Sequence, residues 1–539
     1  MSIRSERALA QEDPAAGGPQ QESDRGPVRG PVLVTWLLAF CFYLAAAWNP
    51  AWSNDESATV VVVRQSFSQV WRYAGLDPAL GPYYLIMKPW SLISTDHLWL
   101  RLPSVIAMST AVALLFVLVC RMIDQRTACF SALLMAALPM VARFGQDARP
   151  YALALLATVG AMFMWWLLRS TGQRRFAVGL SALLLVGALL HAYSLVILLP
   201  MVVATLATPG AHRRRETGGL AVAAGATLAL ISPYLLYSVG HATGSPNPLP
   251  MSVASIAKLW LKVGIFDARP ALALVFAVSV LAMAVAGGVL AWRGTAGRRD
   301  VALLYCGWVV FPPTLMIVLQ LITGKPGLVY RYWIFILPGL AVLAAIFLRW
   351  LTARKFAAGV VLAIVVVVLA VPAQLALRGT DGHFGQVYLA LASTLETGPF
   401  QNEPLLATGA TYRSVLANSP GSADRFPLIV AAPGKLVNEV FPKQQPVGSA
   451  AVRSLQLRDS VLVFKAMTIW LTKIPTGAAF QGSAAVRGAL SQPLVLCNSF
   501  GHALGVFGKS ATQVSEAAKK AMASALESQA PGHIHCATQ

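Results

Sequence analysis

Residues 103–120 read PSVIAMSTAVALLFVLVC, an apolar run of eighteen residues without a charged side chain. Such a run is typical of a membrane-spanning helix, which needs about 20 mostly apolar residues. The whole chain has the same character, since 56% of its 539 residues are hydrophobic and only 12% are charged. Soluble domains carry about 25% charged residues. The composition predicts a polytopic α-helical membrane protein, and it excludes a disordered chain, a disulfide-rich mini-protein and an ordinary cytosolic enzyme.

Apolar blocks of this kind predict about eleven transmembrane helices, with an uncertainty of one. Residues 176–208 form one continuous stretch, long for one helix and short for two, which we divide at His191. The predicted spans are 31–49, 103–120, 127–142, 151–168, 176–190, 191–208, 218–239, 270–292, 301–323, 332–349 and 356–375.

The formal net charge of +20 comes largely from short basic runs between these blocks, such as Arg213–Arg215. The runs occupy every second loop, which is typical of loops on the cytoplasmic side of a membrane. A nucleic-acid-binding protein would instead gather its basic residues on one polar surface. We therefore predict a multi-pass protein of the cell membrane, with a cytoplasmic N-terminus and an extracytoplasmic C-terminal region.

The chain divides into three regions by composition. Residues 1–30 are polar and predict a disordered cytoplasmic tail, and residues 31–375 hold the spans, with the first outer loop at 50–102. Residues 376–539 predict a soluble extracytoplasmic α/β domain, where Cys497 and Cys536 are expected to form a disulfide on the oxidising side. Predicted strands there are 404–407, 428–431, 460–464 and 494–496, and predicted helices are 387–395 and 514–526.

The acids of the membrane region lie outside the centres of the predicted spans. An ion-coupled transporter would normally place charge there, so this pattern weighs against a transporter. Asp55 and Glu56 directly follow the first span, beside Trp48 and Trp52. They could be ordinary solvated loop charges, or a general base next to a lipid-embedded substrate, because a carboxylate can deprotonate an attacking hydroxyl.

Three further outer clusters combine cations and tyrosines, and two of them also contain an acid. Tyr and Trp commonly anchor spans at the membrane interface, while outward arginines at helix ends suit phosphate binding. Single arginines there are more often lipid headgroup anchors. The first cluster runs from Asp77 through Tyr83, Tyr84 and Lys88 to Arg101, the second holds Arg143, Gln146, Asp147, Arg149 and Tyr151, and the third holds Lys325, Tyr330 and Arg331.

In this order the motifs resemble the C-type, multi-span glycosyltransferases. Within them, the chain looks like the protein O-mannosyltransferase and aminoarabinose transferase group, and it is most similar to actinobacterial polyprenyl-phosphate-mannose-dependent mannosyltransferases. The resemblance covers roughly residues 31–350 and is specific in the first 151 residues. It includes an acidic pair after the first span, a Pro-Tyr-Tyr helix start at 82–84, and Gln-Asp-Ala-Arg-Pro-Tyr at 146–151.

The resemblance implies a polyprenyl-phosphate-sugar donor, a hydroxyl acceptor on a cell-envelope glycolipid or glycan at the outer face, and membrane lipids as partners. Asp55 matches the first-loop acid that serves as base in the family, and Glu56 is its neighbour in the same catalytic motif. Gln146 stands where relatives more often have Glu, and Leu80-Gly81-Pro82 replaces a stretch that often contains His. No cofactor is required with certainty, although a divalent metal at the donor phosphate is an open alternative.

The implied reaction is direct displacement at the anomeric carbon with inversion, with Arg149, Lys325 and Arg331 as candidate cations for the leaving phosphate. Mannose is the expected sugar and arabinofuranose the alternative. A lipid or glycan transporter and a non-catalytic envelope scaffold are the remaining hypotheses. His191 is either a substrate contact or a buried polar group of the bundle. The predicted substrate-binding residues are Asp77, Tyr83, Tyr84, Lys88, Arg101, Gln146, Asp147, Arg149, Tyr151, His191, Lys325, Tyr330 and Arg331.

Overall fold

The fold is that of a computed structural model of the chain. The structure describes residues 29–208, 212–241, 251–261, 270–294, 296–324, 329–380, 382–383, 389 and 405–418, and six further strands up to residue 538. Lys325, the tail at 1–28 and the predicted helices at 387–395 and 514–526 lie outside this description, apart from residue 389.

A helix occurs at each of the eleven predicted spans. The helices are α1 (Arg29–Leu44), α2 (Asn54–Val63), α3 (Phe67–Leu76), α4 (Gly81–Trp90), α5 (His97–Met122), α6 (Gln125–Ala137), α7 (Pro139–Gly145), α8 (Tyr151–Thr171), α9 (Arg174–Leu190), α10 (Leu198–Ala207), α11 (Arg213–His241), α12 (Val253–Leu261), α13 (Pro270–Trp292), α14 (Ala296–Thr323), α15 (Leu337–Arg354), α16 (Phe356–Arg378) and α17 (Gly409–Asn418). Short 3-10 helices at Ala192–Ile197 and Tyr330–Ile336 lead into α10 and α15.

Fewer helices of the structure are long and apolar enough to span a membrane than the eleven that the sequence predicts. Within the described ranges, seven helices are long and apolar enough to cross a membrane, or up to eight if the bent pair α6–α7 counts as one. The first helix ends at Leu44, so the predicted first span at 31–49 is too long. Ala46 adopts a left-handed backbone conformation, with φ of 57°, which ends the helical path. The count of eleven stays a prediction.

The predicted first outer loop, residues 50–102, is largely helical. It holds α2, α3 and α4, and the predicted helix start at Pro82-Tyr83-Tyr84 is confirmed, since α4 begins at Gly81. Ser53 and Glu56 form a capping box at the start of α2, where each side chain accepts a hydrogen bond from the other residue's backbone N–H. This cap fixes both acids in the first turn of a helix.

Three interruptions of the helices face the same region. Pro139 cannot continue the hydrogen-bond ladder of α6, and the chain bends by 68° into α7. The predicted division at His191 is confirmed, because α9 ends at Leu190 and His191 is extended. A third break precedes α15, where Tyr330 opens a 3-10 helix. Each break brings polar residues to the end of a span.

The spans pack around α5, α8 and the segment Tyr330–Arg354. Of their apolar windows, 67%, 67% and 72% are buried, compared with 22% for α11 and 28% for α16. Gly287 of α13 lies so close to the backbone of Leu343 in α15 that a Cβ there would clash. Small residues allow such close approach between membrane helices.

The C-terminal region forms a mixed seven-stranded sheet in the order β3-β2-β1-β4-β6-β5-β7. The four predicted strands overlap observed ones. The strands are β1 (Leu405–Thr408), β2 (Ile429–Ala432), β3 (Lys435–Val437), β4 (Ser460–Ala466), β5 (Pro493–Ser499), β6 (His502–Gly508) and β7 (His535–Thr538). The antiparallel register of β5 and β7 sets Cys497 opposite Cys536. Their side chains lie outside the described part, so the disulfide stays a prediction, as does a separate soluble domain.

Candidate active site

Asp55 and Glu56 occupy successive positions in the first turn of α2. Successive residues of an α-helix point about 100° apart, because the helix has about 3.6 residues per turn. The two carboxylates therefore enter different surroundings. The side chain of Glu56 is 0% exposed and that of Asp55 is 38% exposed.

Both carboxylate oxygens of Glu56 are fully engaged. Arg101 donates to Oε1 from Nε at 2.7 Å and to Oε2 from Nη2 at 2.8 Å. Further donors are the backbone N–H of Ala148 at 3.0 Å, that of Ser53 at 3.1 Å and Nδ1 of His383 at 3.3 Å. Burial would raise the pKa of Glu56, but Arg101 and His383 outweigh it and hold the pKa well below its ordinary value. Glu56 is thus a buried, ionised acceptor for three elements of the chain.

Arg101 connects this ion pair to the turn that follows α1. Its Nη1 donates to the carbonyl oxygens of Ala47 at 2.8 Å and Pro50 at 2.9 Å. The guanidinium also lies over the indole of Trp52, 4.8 Å from the ring centroid. Arg101 therefore contacts protein groups on several sides.

Asp55 points in a different direction and has a different set of neighbours. Its Oδ2 accepts a hydrogen bond from Nη1 of Arg331 at 2.7 Å. Nη1 of Arg149 donates to the backbone carbonyl of Asp55 at 3.0 Å. Burial would raise the pKa of Asp55, but Arg331, Arg149 and Arg143 outweigh it and lower the pKa below its ordinary value. Asp55 is therefore ionised at neutral pH and partly accessible.

Helix α7 and the turn after it supply Arg143, Asp147 and Arg149, which act electrostatically on Asp55 or are acted on by it. Nη1 of Arg143 lies 3.3 Å from Oδ2 of Asp147, whose side chain is buried. Ser104 of α5 donates to the backbone carbonyl of Asp147 at 2.6 Å and so fixes this turn. Burial raises the pKa of Asp147 to about 7, although Arg143 opposes the shift.

Several buried polar atoms around Asp55 have no hydrogen-bond partner among the described residues. Buried polar atoms are nearly always paired, so an unpaired group of this kind indicates a place for a ligand or water. Three of these six atoms are donors on arginine side chains, and they suit an anion. The atoms are Nε of Arg149, Nε of Arg331, Nδ1 of His191, Oη of Tyr83, Oδ1 of Asp147 and Nη1 of Arg143, which forms an ion pair with Asp147 but no hydrogen bond.

An aromatic cluster surrounds His191, close to Arg331 and Arg149. The imidazole lies 4.8 Å from the ring of Tyr332 and 5.2 Å from that of Phe335, measured between centroids. Tyr151 lies 5.4 Å from His191, and Tyr193 stacks on Tyr332 at 4.6 Å. The predicted substrate-binding residues include Tyr151 and His191 but not Tyr193 or Tyr332, which the two 3-10 helices supply, although Tyr332 ends the third sequence cluster.

Other predicted site residues bond mainly to the protein itself. Nζ of Lys88 donates to the carbonyl of Val63 at 2.9 Å, at the end of α2. Nε2 of Gln146 donates to the carbonyls of Tyr43 at 2.7 Å and Ala45 at 2.9 Å, at the end of α1. Oη of Tyr84 donates to Asp77 at 3.0 Å. Lys88 and Gln146 thus bind helix ends, whereas Asp77 and Tyr84 form a pair.

The structure adds three basic residues that the predicted site leaves out. Arg143 stands in the second acidic cluster and was recognisable there. His383 follows the last span and contacts Glu56. Arg413 of α17 interacts electrostatically with Tyr84 and Asp77. His383 and Arg413 lie beyond the region of family resemblance, so no sequence motif indicates them.

A metal ion fits this site poorly. Glu56, Asp147 and His383 offer ligand atoms within 4.8 Å of one another. However, both oxygens of Glu56 already accept hydrogen bonds from Arg101, and Arg143 lies against Asp147. A cation bound to Glu56 would have to displace the Arg101 guanidinium from a fully buried pair. The donor set is better described as an ion-pair network.

Comparison with known proteins places this geometry in a family context. Residues 77–237 match the family model described as dolichyl-phosphate-mannose-protein mannosyltransferase. A search of curated proteins finds no match.

Two solved structures of ArnT from Cupriavidus metallidurans are similar to the chain. The apo structure has a TM-score of 0.59 at 12% identity, and the alignment covers 89% of this chain and 98% of that one. The undecaprenyl-phosphate-bound structure has a TM-score of 0.57 at 12% identity, with the same coverage. The resemblance to the C-type glycosyltransferases is thus confirmed at the level of the group: residues 77–237 match the family's sequence model, and the chain has the fold of ArnT.

Proposed function

We propose that the protein is a membrane glycosyltransferase that moves a mannosyl group from a polyprenyl-phosphate donor to a hydroxyl of a cell-envelope glycolipid or glycan. The single observation that carries this proposal is the surrounding of Asp55. A half-exposed, ionised carboxylate lies among Arg143, Arg149 and Arg331, each with a buried N–H that no described residue accepts. A base and an anion-binding group are the two elements that this transfer requires.

The proposed donor explains the unpaired guanidinium donors. A lipid phosphate is an anion, and planar guanidinium groups bind phosphate oxygens through paired hydrogen bonds. Arg331 stands at the start of a predicted span and Arg149 just before another. Both are therefore at a height where a phosphate attached to a membrane-embedded chain could reach them. The ArnT structure bound to undecaprenyl phosphate supports this class of carrier.

The proposed reaction is an inverting displacement. The acceptor oxygen attacks the anomeric carbon as its proton passes to Asp55, and the bond from that carbon to the phosphate oxygen breaks. The leaving lipid phosphate keeps the bonding electron pair, so its charge grows in the transition state. Arg149 and Arg331 stabilise that charge, and the leaving group needs no proton because it is already a stable anion.

Asp55 and Glu56 have different proposed roles. Asp55 is the base because it is partly exposed and has an oxygen available to an incoming hydroxyl. Glu56 is proposed to position the site, since its oxygens are occupied by Arg101, Ala148 and Ser53. Through these bonds it holds α2, α5 and the turn of Asp147 in one arrangement.

The proposed orientation places this site on the outer face of the cell membrane, with a cytoplasmic N-terminus and an extracytoplasmic C-terminal domain. The alternation of basic loops supports it. The description of the matched family favours mannose over arabinofuranose as the sugar.

Transfer in sealed membranes tests donor, acceptor and orientation together. Right-side-out vesicles containing the full chain receive radiolabelled polyprenyl-phosphate mannose, or the arabinofuranose analogue, and charged alkyl mannosides that cannot cross the membrane. We expect labelled mannoside outside the vesicles, formed with inversion at the anomeric carbon. A matched preparation of Asp55→Asn protein is the control.

Two results would contradict the proposal. Transfer that requires disrupted vesicles would place the site on the inner face. Movement of intact lipid or mannoside across the bilayer without any new glycosidic bond would identify a transporter.

A further inference from the structure

The helix α17 of the C-terminal region docks directly on α2. Ser414, Val415 and Ala417 are buried in this contact. Three hydrogen-bonded connections fix the helix on both sides of Asp55. Oγ of Ser414 donates to Oδ1 of Asn54 at 3.0 Å, and Nη1 of Arg64 donates to the carbonyl of Ala417 at 3.1 Å. The side-chain amide of Asn418 accepts a hydrogen bond from the backbone N–H of Trp52 at 3.2 Å and donates one to its carbonyl at 3.3 Å.

This docking brings Arg413 to the rim of the site. Arg413 is half-buried and precedes Ser414, the residue that bonds to Asn54. Its charge interacts with Tyr84 and Asp77, and also with Asp55. Tyr84 and Asp77 are themselves hydrogen-bonded, at 3.0 Å. The hydrogen-bonded Asp77–Tyr84 pair lies within the electrostatic reach of Arg413, and the neighbour of Arg413, Ser414, bonds to the residue before the proposed base.

Arg413 and Arg331 approach Asp55 from different parts of the chain. Arg331 precedes the penultimate span, α15, and donates to Asp55 at 2.7 Å. Arg413 comes from the segment that follows the last span and rests on the outer-loop helix α2. The lipid-bound donor must come from the bilayer and contact the cations at the span ends. Asp55 thus has one cation at the end of a span and a second one on the docked helix α17.

We propose that Arg413, Asp77 and Tyr84 form a subsite for the hydroxyl groups of the acceptor glycan, supplied in part by the C-terminal region. This proposal rests on the proposed function and names how that site selects its acceptor. A sugar hydroxyl both donates and accepts hydrogen bonds, so a carboxylate beside a guanidinium meets both needs. Since Asp77 offsets the charge of Arg413, the pair suits neutral hydroxyls better than a phosphate. The excess positive charge lies with Arg143, Arg149 and Arg331.

The experiment separates the two substrates. Full-length protein in lipid nanodiscs is titrated with undecaprenyl phosphate alone, and transfer from polyprenyl-phosphate mannose is then measured against octyl mannoside concentration. Arg413→Gln removes the charge, Arg413→Lys keeps it without the guanidinium, and Asn418→Ala loosens the docked helix. Arg72→Gln removes an arginine from the exposed surface of α3 and is the matched control.

We expect Arg413→Gln to raise the KM for octyl mannoside by about 10- to 100-fold, the effect of losing a hydrogen bond to a charged group. Arg413→Lys should recover part of this loss, and Asn418→Ala should show a smaller rise. The affinity for undecaprenyl phosphate should stay at the wild-type value in all of them, as it should in Arg72→Gln.

Three outcomes would overturn the inference. An unchanged acceptor KM in Arg413→Gln would exclude the subsite while leaving the proposed function intact. Weaker undecaprenyl phosphate binding with unchanged KM would assign Arg413 to the donor. Wild-type protein that binds undecaprenyl phosphate but transfers to no hydroxylated probe would overturn the proposed function itself, and with it the subsite.

Discussion

Asp55 and Glu56 are adjacent in sequence and differ in almost every structural respect. Glu56 is completely buried, and both of its oxygens accept hydrogen bonds from Arg101. Asp55 is 38% exposed and forms one side-chain ion pair, with Arg331. Protein groups occupy both oxygens of Glu56, whereas the arginines around Asp55 have N–H groups whose hydrogen bonds no described residue accepts.

This difference indicates that one of the two carboxylates holds the site together and the other takes part in the proposed reaction. A carboxylate that already accepts hydrogen bonds from several protein groups has no lone pair for a substrate, so it can only hold other groups in place. A carboxylate with access to solvent and nearby unpaired cations can accept a proton while charge develops beside it. Within one helical turn, the two side chains point in different directions and therefore have different roles.

Asp55→Asn is expected to have the largest effect. The amide cannot accept the acceptor proton, and loss of a general base typically lowers the rate by about 10²- to 10⁴-fold. Transfer from polyprenyl-phosphate mannose measures this, and thermal unfolding should stay close to wild type because the side chain is partly exposed. Near-normal turnover would remove Asp55 as the base.

Glu56→Gln is expected to lower the stability of the fold, and to affect the rate of transfer only through that loss. The change leaves Arg101 charged and buried without its counter-ion, a situation that costs about 3–5 kcal/mol. Thermal unfolding of the purified protein measures the loss, with Asp55→Asn as the matched control one residue away. A stable, correctly folded Glu56→Gln protein without activity would instead make Glu56 a participant in the reaction.

Arg331→Ala is expected to weaken binding of the donor phosphate. Loss of a charge-assisted hydrogen bond costs about 1.5–3 kcal/mol, which corresponds to about 10- to 100-fold in affinity. Titration with undecaprenyl phosphate measures this, and Arg331→Lys should recover only part because it lacks the planar pair of donors. Wild-type affinity in Arg331→Ala would exclude it from the phosphate site.

Asp147 should give the smallest effect, a dependence of donor binding on pH. Its pKa of about 7 means that it is protonated below neutral pH and ionised above it. Above pH 7 the ionised carboxylate competes with the donor for Arg143 and Arg149, so donor affinity should fall several-fold as pH rises. Asp147→Asn should abolish this dependence and keep the tighter binding. A dependence that persists in Asp147→Asn would belong to another group.

Sequence-based predictions agree best with the structure for features that depend on neighbouring residues in the chain, such as helix positions and helix ends. Apolar runs fix where helices form, and the extended residue His191 divides two of them as predicted. The Ser53–Glu56 capping box was readable in principle, since its residue types and spacing define the motif. Four strands of the C-terminal sheet also follow from their short apolar runs.

The composition of the site depends on contacts that no local pattern encodes. His383 reaches Glu56 across 327 residues, and Arg331 reaches Asp55 across 276. Lys88 and Gln146 have the residue types of a substrate site, yet they bond to the carbonyls that end α2 and α1.

By itself, the sequence determined that this chain is a multi-span helical protein with acids and arginines at the ends of its helices. The reason is physical: lipid selects long apolar helices and confines charge to their ends. Only the tertiary structure decided which of the two adjacent carboxylates is buried and fully hydrogen-bonded, and which remains partly exposed. That choice depends on the direction of each side chain from α2 and on distant groups that fold against it.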